Sequence, residues 1–311
     1  MRLIFFGTPE FAVPALNALI NSEHEILAVV SQPDRRSGRG RHLVLSPVKE
    51  NAQSAGLNIL QPKKVKEAAF LEELKRLNPD AIVTAAYGQL LPSDIIRLPK
   101  FGCVNIHASL LPKYRGAAPV NWAIINGDKT SGITMMLMDE GMDTGPILLQ
   151  REEAIRDEDT AGTLSERLSL LGAEALIKTL DILEKGLIKP VPQSGDASSA
   201  PLLRKENGLI KWLLSADQLN NFIRGVNPWP GAYTFLDGRR IKILKAVSAG
   251  GSGEAGVIFS VTKDQLLVGT GRGLLRLVEV QTAGKPVMDV KLFMQGRSLR
   301  EGMKFNDEPL N

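Results

Sequence analysis

The sequence predicts an α/β domain with a mostly parallel sheet, followed by a small C-terminal β-barrel. In the first half of the chain, short apolar segments alternate with helical stretches, as they do in βαβ units. Beyond residue 205 the apolar residues alternate with period two, and glycine-rich turns separate short segments. Residues 189–205, between these regions, are rich in Pro, Gly and Ser, which is typical of a linker. We therefore predict domains at residues 1–188 and 206–311.

Six apolar segments of the first domain are predicted strands. They are Leu3–Phe6, Ile26–Val30, Leu57–Leu60, Ala81–Thr84, Val104–Ile106 and Ile133–Met138. Phe11–Ile20 has helical periodicity. Thr163 and Glu166 have capping-box spacing, which predicts a long amphipathic helix with Thr163 as its N-cap and an end near Gly186. Strands that alternate with helices in this way predict a Rossmann-like sheet.

In the second domain, Asp237-Gly238 separates two apolar segments and predicts a tight hairpin. The predicted strands are Ala232–Leu236, Arg240–Leu244, Val257–Val261, Gln265–Val268 and Leu274–Val280. Ser215 and Gln218 have capping-box spacing and predict one helix before the strands of the barrel. Short strands joined by glycine-rich turns predict a small OB-like barrel.

The composition of the 311-residue chain, 43% hydrophobic and 23% charged, is typical of a soluble globular protein. No apolar stretch approaches the ~20 residues of a membrane span, and a secretory signal has no room before Leu3. The three histidines and the single cysteine, Cys103, show no metal-ligand spacing. We therefore expect a cytoplasmic protein with no bound metal and no membrane partner.

The positive charge is concentrated at the C-terminal end. The net charge is +4, and residues 205–311 hold 15 Lys or Arg against 10 Asp or Glu, a balance of +5. Within the first domain, four arginines crowd one short segment: Arg35, Arg36, Arg39 and Arg41. This distribution favours a polyanionic partner, although a basic domain is more often only a solvated surface.

The turn after the first predicted strand does not have the pattern of a nucleotide site. Gly7-Thr8-Pro9 supplies one glycine where the dinucleotide fingerprint needs three, and Phe11 stands where the backbone would approach a pyrophosphate. No Gly-Lys-Ser/Thr follows, which excludes a P-loop. We interpret the segment as a tight turn from strand to helix.

Asn105 and His107 are the first candidates for chemistry. Because side chains alternate along a strand, both point to the same side of the sheet. The asparagine amide can donate to a developing oxyanion, and imidazole can move a proton near neutral pH. A lone histidine that only makes a local hydrogen bond is the alternative interpretation.

A second segment strengthens this interpretation. Asp143 follows another predicted strand in a loop whose glycines, Gly141 and Gly145, permit a sharp turn. We predict that its carboxylate reaches His107, orients the ring and raises its pKa. Asp139 and Glu140 are rival carboxylates in the same loop. No nucleophile elbow is present, so the residues favour direct acyl transfer to an incoming amine.

Taken together, these residues resemble the folate-dependent formyltransferases over nearly the whole chain. The segments that carry the resemblance are Phe6–Ala12, Gln32–Arg35, Gly38–Gly40, Ser46–Lys49, Ala86–Gly88, Asn105–His107, Ser109–Pro112, Arg115–Pro119, Gly132–Thr134, Met142–Gly145, Ile210–Trp212 and Asn227–Pro230. Within that family, the combination is most similar to the members that formylate an initiator methionyl-tRNA.

The resemblance implies an activity and a set of site residues. The formyl donor would be 10-formyltetrahydrofolate, and the methionyl amine would attack its formyl carbon through a tetrahedral intermediate. The implied catalytic residues are Asn105, His107 and Asp143. The implied folate contacts are Ser109, Leu110, Leu111, Pro112, Ala86, Tyr87, Gly88 and Leu91, and the implied tRNA contacts are Arg35, Arg36, Arg39 and Arg41. The expected partners are a reduced folate and initiator methionyl-tRNA, and the expected state is a monomer.

Two other functions remain open at this point. A formyltransferase that acts on an amino sugar nucleotide shares the same three polar residues, but it does not need the arginine-rich loop. A non-catalytic RNA-binding module would use the basic domain and bind no folate. Trp212 and Trp229 could stack on bases. Core packing is the alternative for both, and we favour it for Trp229.

Overall fold

The structure is a computed structural model that describes residues 1–37 and 42–308. The chain divides into two compact units. Unit 1 comprises residues 1–119, 130–154 and 165–201, and unit 2 comprises residues 120–129, 155–164 and 202–311. Each unit has its own sheet, in agreement with the two folds that the sequence predicts.

Unit 1 is built on a seven-stranded sheet. Its strands are β1 (Arg2–Gly7), β2 (Glu25–Val30), β5 (Ile59–Leu60), β6 (Ala81–Ala85), β7 (Cys103–His107), β8 (Thr130–Leu137) and β9 (Ile147–Ala154). A separate two-stranded antiparallel sheet, β3 (Arg35–Ser37) and β4 (His42–Val44), lies between β2 and β5 in the sequence. The sheet order is β5-β2-β1-β6-β7-β8-β9. Along this sheet order, neighbouring strands from β5 through β2, β1 and β6 to β7 pair in parallel. At the other edge, β8 pairs antiparallel with both β7 and β9.

Eight helices lie in the described residues, and those of the first half of the chain alternate with strands as predicted. They are α1 (Val13–Ile20), α2 (Pro47–Ser54), α3 (Ala68–Leu77), α4 (Ser93–Ile96), α5 (Pro119–Ile125), α6 (Ala161–Glu184), α7 (Ala216–Gly225) and α8 (Val290–Gln295). A 3-10 turn, Glu10–Ala12, precedes α1. None of these helices is long and apolar enough to span a membrane.

The central strands of unit 1 are buried because apolar residues occupy nearly every position. Leu3, Ile4, Phe5 and Phe6 of β1 are fully buried. A continuous apolar strand of this kind is expected where helices cover both faces of a parallel sheet. After β1 the chain passes to β2 on one side and later to β6 on the other. The carboxyl ends of β1 and β6 therefore border the crevice in which parallel α/β sheets usually bind ligands.

The capping prediction for the long helix is wrong by one turn. Helix α6 begins at Ala161, and Thr160 and Thr163 exchange backbone-to-hydroxyl hydrogen bonds of 3.0 and 3.2 Å. Thr163 therefore occupies the third helical position, because Thr160 already supplies the capping hydroxyl. The predicted end is confirmed: Gly186 has φ +66°, and the Leu187 amide bonds the Ile182 carbonyl at 3.0 Å.

Unit 2 contains the predicted antiparallel sheet. Its strands are β10 (Tyr233–Leu236), β11 (Arg239–Ala249), β12 (Ile258–Val261), β13 (Leu266–Gly269), β14 (Leu274–Thr282) and β15 (Met288–Asp289). The order is β10-β11-β14-β13-β12, with β15 paired to β14. The backbone of Asn306 bridges Phe235 of β10, and that of Lys304 bridges Val257 beside β12. One C-terminal segment thus contacts both ends of the sheet, which gives the curved, OB-like form.

Two local predictions for unit 2 are confirmed. Asp237 and Gly238 have φ of +48° and +70° and form the turn between β10 and β11, as a two-residue hairpin requires. Ser215 and Gln218 form a reciprocal capping box at the start of α7. Both motifs are local, so sequence spacing was sufficient to find them.

The segment predicted as a linker is not free of unit 1. Residues up to Pro201 belong to unit 1, and Val191 pairs with Ile147 through two backbone hydrogen bonds of 2.8 and 2.9 Å. Proline, glycine and serine predicted irregular backbone, and most of this backbone is irregular. The composition gave no sign that the backbone is packed. The domain boundaries 1–188, 189–205 and 206–311 stay a prediction.

Candidate active site

The sequence-predicted polar residues lie on β7 and on a loop whose Asp143 approaches His107. Asn105 and His107 both lie on β7, which pairs with β6 on one side and β8 on the other. Asn105 is half-buried and His107 is buried. Asp143 lies in the loop that joins β8 and β9. Two of the three side chains that the sequence singled out thus come from one strand, and the third comes from one loop.

The amide of Asn105 is oriented by a neighbouring hydroxyl. Thr84 is the register partner of Asn105 on β6, and its Oγ1 donates to Asn105 Oδ1 at 2.7 Å. Since the carbonyl oxygen of the amide is occupied, the NH₂ group is left to donate. An amide held in this way is a preorganised donor for an oxygen that gains negative charge.

The ring of His107 is fixed by a main-chain carbonyl. His107 Nε2 lies 2.9 Å from the carbonyl oxygen of Tyr114. A carbonyl oxygen only accepts, so Nε2 carries a proton in the neutral ring. The nitrogen that can take up a proton is therefore Nδ1, and it lies 3.6 Å from Asp143 Oδ1.

The Asp143 carboxylate acts to raise the pKa of His107, as predicted, but burial has the larger effect. Burial lowers the pKa of His107 below its usual value, although the Asp143 carboxylate and the Tyr114 carbonyl both act to raise it. The desolvation of a charged ring outweighs these two interactions because the side chain is only 6% exposed. The resting imidazole is therefore neutral near pH 7, and its Nδ1 is a free base.

The Asp143 carboxylate is held from its other side by the backbone. Its Oδ2 accepts a hydrogen bond of 2.8 Å from the Gly116 amide. Asp143 also has φ +55°, a left-handed conformation that is uncommon for a non-glycine residue. Residues in such conformations persist where their surroundings hold them, and they cluster at functional sites.

The two rival carboxylates have other partners. Asp139 Oδ1 accepts from Thr144 Oγ1 at 2.7 Å and from the Gly141 amide at 3.0 Å. Glu140 accepts from Arg97 and Ser93, at 2.7 and 2.8 Å. Among the three acidic residues of this loop, Asp143 is the one whose carboxylate approaches His107.

The segment Ser109–Pro112 is mostly buried. Ser109 Oγ donates to the Lys113 carbonyl at 2.6 Å, and the Leu111 side chain is 3% exposed. Leu110 and Pro112 are partly exposed. Thr134 Oγ1 donates to the Ser109 carbonyl at 2.6 Å, so the segment is anchored to β8. The folate contacts predicted for these four residues stay a prediction, and the exposed parts of Leu110 and Pro112 are available for it.

The segment after β6 reverses the chain direction. Ala86 and Gly88 have φ of +46° and +91°. The Tyr87 ring packs edge-on against Phe6, with centroids 5.1 Å apart, and burial raises its pKa to about 12. The side chain of Tyr87 therefore belongs to the core, and its carbonyl accepts a hydrogen bond of 2.9 Å from Thr8 Oγ1. Leu91 is also largely buried.

Two clefts adjoin these segments in unit 1. One encloses about 580 Å³, and its lining includes Leu90, Leu91 and Pro92. The other encloses about 570 Å³, and its lining includes Met138 and Asp139. Glu140 lines both clefts, and Met138 Sδ lies 3.4 Å from Thr84 Oγ1. Their volumes are in the range of small-molecule sites, about 300–1,000 Å³.

The base of the arginine-rich segment is well fixed. Asp34 accepts from Lys49 Nζ at 2.6 Å and from Gln61 Nε2 at 2.9 Å, and these two hydrogen bonds lower the pKa of Asp34. The hydroxyls of Ser31 and Ser46 lie 2.6 Å apart. The Arg35 side chain is exposed, whereas the Arg36 side chain, Arg39 and Arg41 fall outside the described residues.

Trp212 and Trp229 differ in exposure. Trp212 is 3% exposed, stacks on Phe305 at 5.5 Å and donates to Thr234 Oγ1 at 3.1 Å. It is therefore a core residue and offers no face to a base. Trp229 is 50% exposed, so the core-packing interpretation is wrong for it. Within the described residues, no group of His, Cys, Asp or Glu is placed to hold a metal ion.

Sequence reasoning missed two residues of this site. The sequence places Thr84 only in an apolar strand, yet a lone hydroxyl in a fully buried strand is a usable signal. Gln193 was counted as linker, but its side chain bonds the backbone of Asp143. The only signal for Gln193 would have been spatial, since 50 residues separate it from Asp143.

Comparison with known proteins decides the family. The family model described as formyl transferase matches residues 1–180, and its C-terminal domain model matches residues 202–298. The chain belongs to the formyl transferase family. Methionyl-tRNA formyltransferase of Thermodesulfovibrio yellowstonii is 52% identical to this formyl transferase over 301 residues, which cover 97% of each chain. The enzyme of the same name from Caldanaerobacter subterraneus is 50% identical over 97% of this chain and 99% of its own.

Solved structures agree with the fold of this formyl transferase. HypX from Aquifex aeolicus, in complex with tetrahydrofolic acid, matches with a TM-score of 0.63 at 16% identity, over 97% of this chain and 48% of its own. WlaRD, a sugar 3N-formyl transferase solved in the presence of dTDP and 5-N-formyl-THF, matches with a TM-score of 0.66 at 19% identity, over 92% and 99%. The Rossmann-like and OB-like folds predicted from the sequence are confirmed.

Proposed function

We propose that the protein transfers the formyl group of 10-formyltetrahydrofolate to the α-amino group of methionyl initiator tRNA. The observation that carries this proposal is the identity of 46–52% with proteins named methionyl-tRNA formyltransferase, along nearly the whole chain. Asn105, His107 and Asp143 add the chemistry that direct acyl transfer requires. The product, formylmethionyl-tRNA, serves translation initiation.

Asn105 stabilises the tetrahedral intermediate in the proposed reaction. When the neutral methionyl amine attacks the formyl carbon, the formyl oxygen gains negative charge. The NH₂ group of Asn105 donates to this oxygen, because Thr84 already occupies the amide carbonyl at 2.7 Å. One such donor is worth about 2.7–4 kcal/mol in comparable oxyanion sites.

His107 moves the proton. The attacking nitrogen loses a proton to Nδ1, and the same proton passes to N10 of the folate as the bond between the formyl carbon and N10 breaks. Burial keeps His107 neutral at rest, so Nδ1 is ready to accept. The Asp143 carboxylate, 3.6 Å away, stabilises the imidazolium that forms for the duration of the transfer.

The folate is proposed to lie along the turn after β6 and the loop after β7. Ala86, Gly88 and the backbone of Tyr87 would border the pteridine, with Leu91 and the 580 Å³ cleft beside them. Ser109, Leu110, Leu111 and Pro112 would complete the wall. The cleft that Met138 lines brings this pocket next to Thr84 and hence to Asn105. This arrangement would place the formyl group between the folate pocket and the catalytic residues.

The acceptor tRNA is proposed to bind through positive charge. Residues 205–311 carry a balance of +5, and Arg35, Arg36, Arg39 and Arg41 add a second basic segment. Lysine and arginine side chains neutralise phosphates and release counterions, which makes such binding strongly salt-dependent. Every residue assigned here belongs to one chain, so a monomer is sufficient for the proposed reaction.

Acceptor competition tests the proposed function. With 10-formyltetrahydrofolate as donor, we expect rapid formylation of methionyl initiator tRNA and negligible formylation of free methionine. If an amino sugar nucleotide is formylated faster than the charged tRNA, the protein is instead a formyltransferase that acts on amino sugar nucleotides. The sequence identities reported above do not favour that alternative. Absence of folate binding would favour a non-catalytic RNA-binding module.

Replacement of Thr84 with valine tests the orientation of Asn105. Valine keeps the shape of threonine but cannot donate to Asn105 Oδ1, so the amide loses its fixed direction. We expect kcat to fall about 2- to 12-fold, which corresponds to ~0.5–1.5 kcal/mol for one hydrogen bond. Thr179→Val is the matched control, because Thr179 is equally buried and donates within α6 to the Ala175 carbonyl. Equal losses of kcat in both variants would contradict the role of Thr84.

Replacement of Arg39 with alanine tests the basic segment. We expect a higher KM for methionyl-tRNA and an unchanged Kd for reduced folate, since the arginine is proposed to contact phosphate. The slope of log Kd against log salt should weaken by about 0.7–0.9 for one lost phosphate contact. Lys178→Ala removes one exposed positive charge from α6 and serves as the control. Equal losses in tRNA and folate binding would assign Arg39 to the folate pocket instead.

A further inference from the structure

Residues 191–200, which we call the strap, run beside the candidate active site. At one end Val191 pairs with Ile147 of β9. At the other end the Ala200 amide donates to the Arg115 carbonyl at 2.7 Å, and the Ala200 carbonyl accepts from the Ala118 amide at 3.1 Å. The strap is thus fixed at both ends to unit 1, on the segment that follows β7 and on the edge strand β9.

The strap packs against the residues that hold the catalytic groups. Ser198 Oγ accepts from the Tyr114 amide at 2.9 Å, and Tyr114 is the residue whose carbonyl holds His107. Gly116, whose amide binds Asp143, has φ +122°, and a Cβ there would lie 2.7 Å from the Ala200 carbonyl oxygen. A side chain at position 116 is therefore excluded by the strap, which indicates a close and specific fit.

Gln193 is the residue of the strap with the most extensive bonding. Its Nε2 donates to the carbonyl oxygens of Asp143 and Gly145, both at 2.8 Å. Its Oε1 accepts from Arg115 Nη2 at 2.7 Å and from Arg115 Nε at 3.1 Å. Main-chain carbonyls only accept and a guanidinium only donates, so chemistry allows one orientation of the amide.

Gln193 binds the backbone of the loop around Asp143, whose conformation must be stabilised by neighbouring residues. Asp143 adopts φ +55°, and its carboxylate must face both Gly116 and His107 Nδ1. Hydrogen bonds to the carbonyls of residues 143 and 145 hold the loop on both sides of Thr144. Arg115 in turn keeps Gln193 in place. The chain of contacts leads from Arg115 through Gln193 to the backbone of Asp143.

We propose that Gln193 is a positioning residue of the active site, which holds the left-handed backbone of Asp143 so that its carboxylate faces Nδ1 of His107. Gln193 touches neither substrate in this account and acts through Asp143. The inference rests on the proposed function, because its test measures the rate of formyl transfer.

The test compares Gln193→Glu and Gln193→Met with the wild type and with Ser194→Ala, an exposed neighbour in the strap. Glutamate keeps an acceptor for Arg115 but places a carboxylate oxygen against two carbonyl oxygens. Methionine keeps the length of the side chain and removes both donors. For both Gln193 variants we expect kcat to fall on the order of 10- to 100-fold, the effect of a displaced catalytic group. The Kd for reduced folate and the activity of Ser194→Ala should remain at wild-type values.

The pH profile separates positioning from simple structural support. The charged group that faces His107 is Asp143, and Arg115 lies beyond Gln193. If the carboxylate moves away, it no longer raises the pKa of His107, so the acid limb of kcat should move to lower pH in Gln193→Met, which adds no charge. A loss of activity that follows the folded fraction, with the limb unmoved, would overturn the proposal, and so would wild-type kcat in either variant.

Arg115→Met is the second route if the Gln193 variants do not fold. It leaves both donors of Gln193 in place and removes the group that holds its carbonyl, so a smaller loss of kcat with the same shift of the acid limb is expected. Wild-type behaviour of this variant would overturn the proposal. Failure of the proposed function is distinguishable, because the wild-type enzyme itself would then not formylate methionyl-tRNA.

Discussion

Replacement of Asn105 with alanine is expected to lower kcat for formyl transfer by about 10²–10³-fold, the effect of removing one donor from an oxyanion site. The structure gives the reason. Thr84 holds the amide carbonyl at 2.7 Å, so the NH₂ group is left as a fixed donor on the side of the strand that also carries His107. The measurement is kcat under single-turnover conditions with saturating 10-formyltetrahydrofolate and methionyl-tRNA.

The control for Asn105→Ala is folate binding and thermal unfolding of the same preparation. Asn105 is half-buried and makes one described side-chain hydrogen bond, so the fold should persist. A variant that binds reduced folate with the wild-type Kd and transfers slowly fits the assigned role. A variant that turns over at the wild-type rate would remove Asn105 from the chemistry.

Replacement of His107 with alanine is expected to lower kcat by about 10²–10⁴-fold, the range for loss of a general acid–base group. Nε2 donates a hydrogen bond of 2.9 Å to the Tyr114 carbonyl, so Nδ1 is the nitrogen that can exchange a proton with the substrate. His107→Gln is the informative companion, because an amide can still donate to that carbonyl while it cannot take up the proton. Equal losses in both variants identify proton transfer as the lost function, whereas recovery in His107→Gln would contradict it.

The pH dependence of kcat gives a second view of His107. The neutral ring is the working base, and burial holds its pKa below the usual value of about 6.5. Activity that depends on this group should therefore be retained to below pH 6.5 and lost as the pH falls through the lowered pKa. Asp143→Asn removes an interaction that raises this pKa, so the acid limb should move to still lower pH while kcat falls at every pH. An acid limb that moves upward would contradict the arrangement.

The sequence was informative where the determinants are local. Alternation along β7 put Asn105 and His107 on one side of the strand, and capping and turn residues located α7 and the β10–β11 hairpin. Asp143 could be assigned because glycines on both sides predicted a sharp loop after a strand. Each of these inferences needed spacing and residue type, which a single sequence provides.

The features that could not be predicted are those set by burial and by distant contacts. The direction of the His107 pKa depends on how completely the ring is desolvated, and a sequence contains no measure of that. Trp212 and Trp229 have the same residue type and opposite exposure, because only one of them faces Phe305 in the core of unit 2. The strap lies in the segment that the sequence predicts as a linker, since Pro, Gly and Ser predict irregular backbone whether or not it is packed.

Asn105 and His107 are both proposed to act on one formyl group. The most direct measurement is the single-turnover rate of formyl transfer to methionyl-tRNA by Asn105→Ala/His107→Ala, together with its Kd for reduced folate. We expect a folded variant that binds folate as the wild type does and transfers the formyl group more slowly than either single variant. Transfer at a rate close to that of the wild type would contradict this expectation, as would a loss of folate binding large enough to explain the whole decrease.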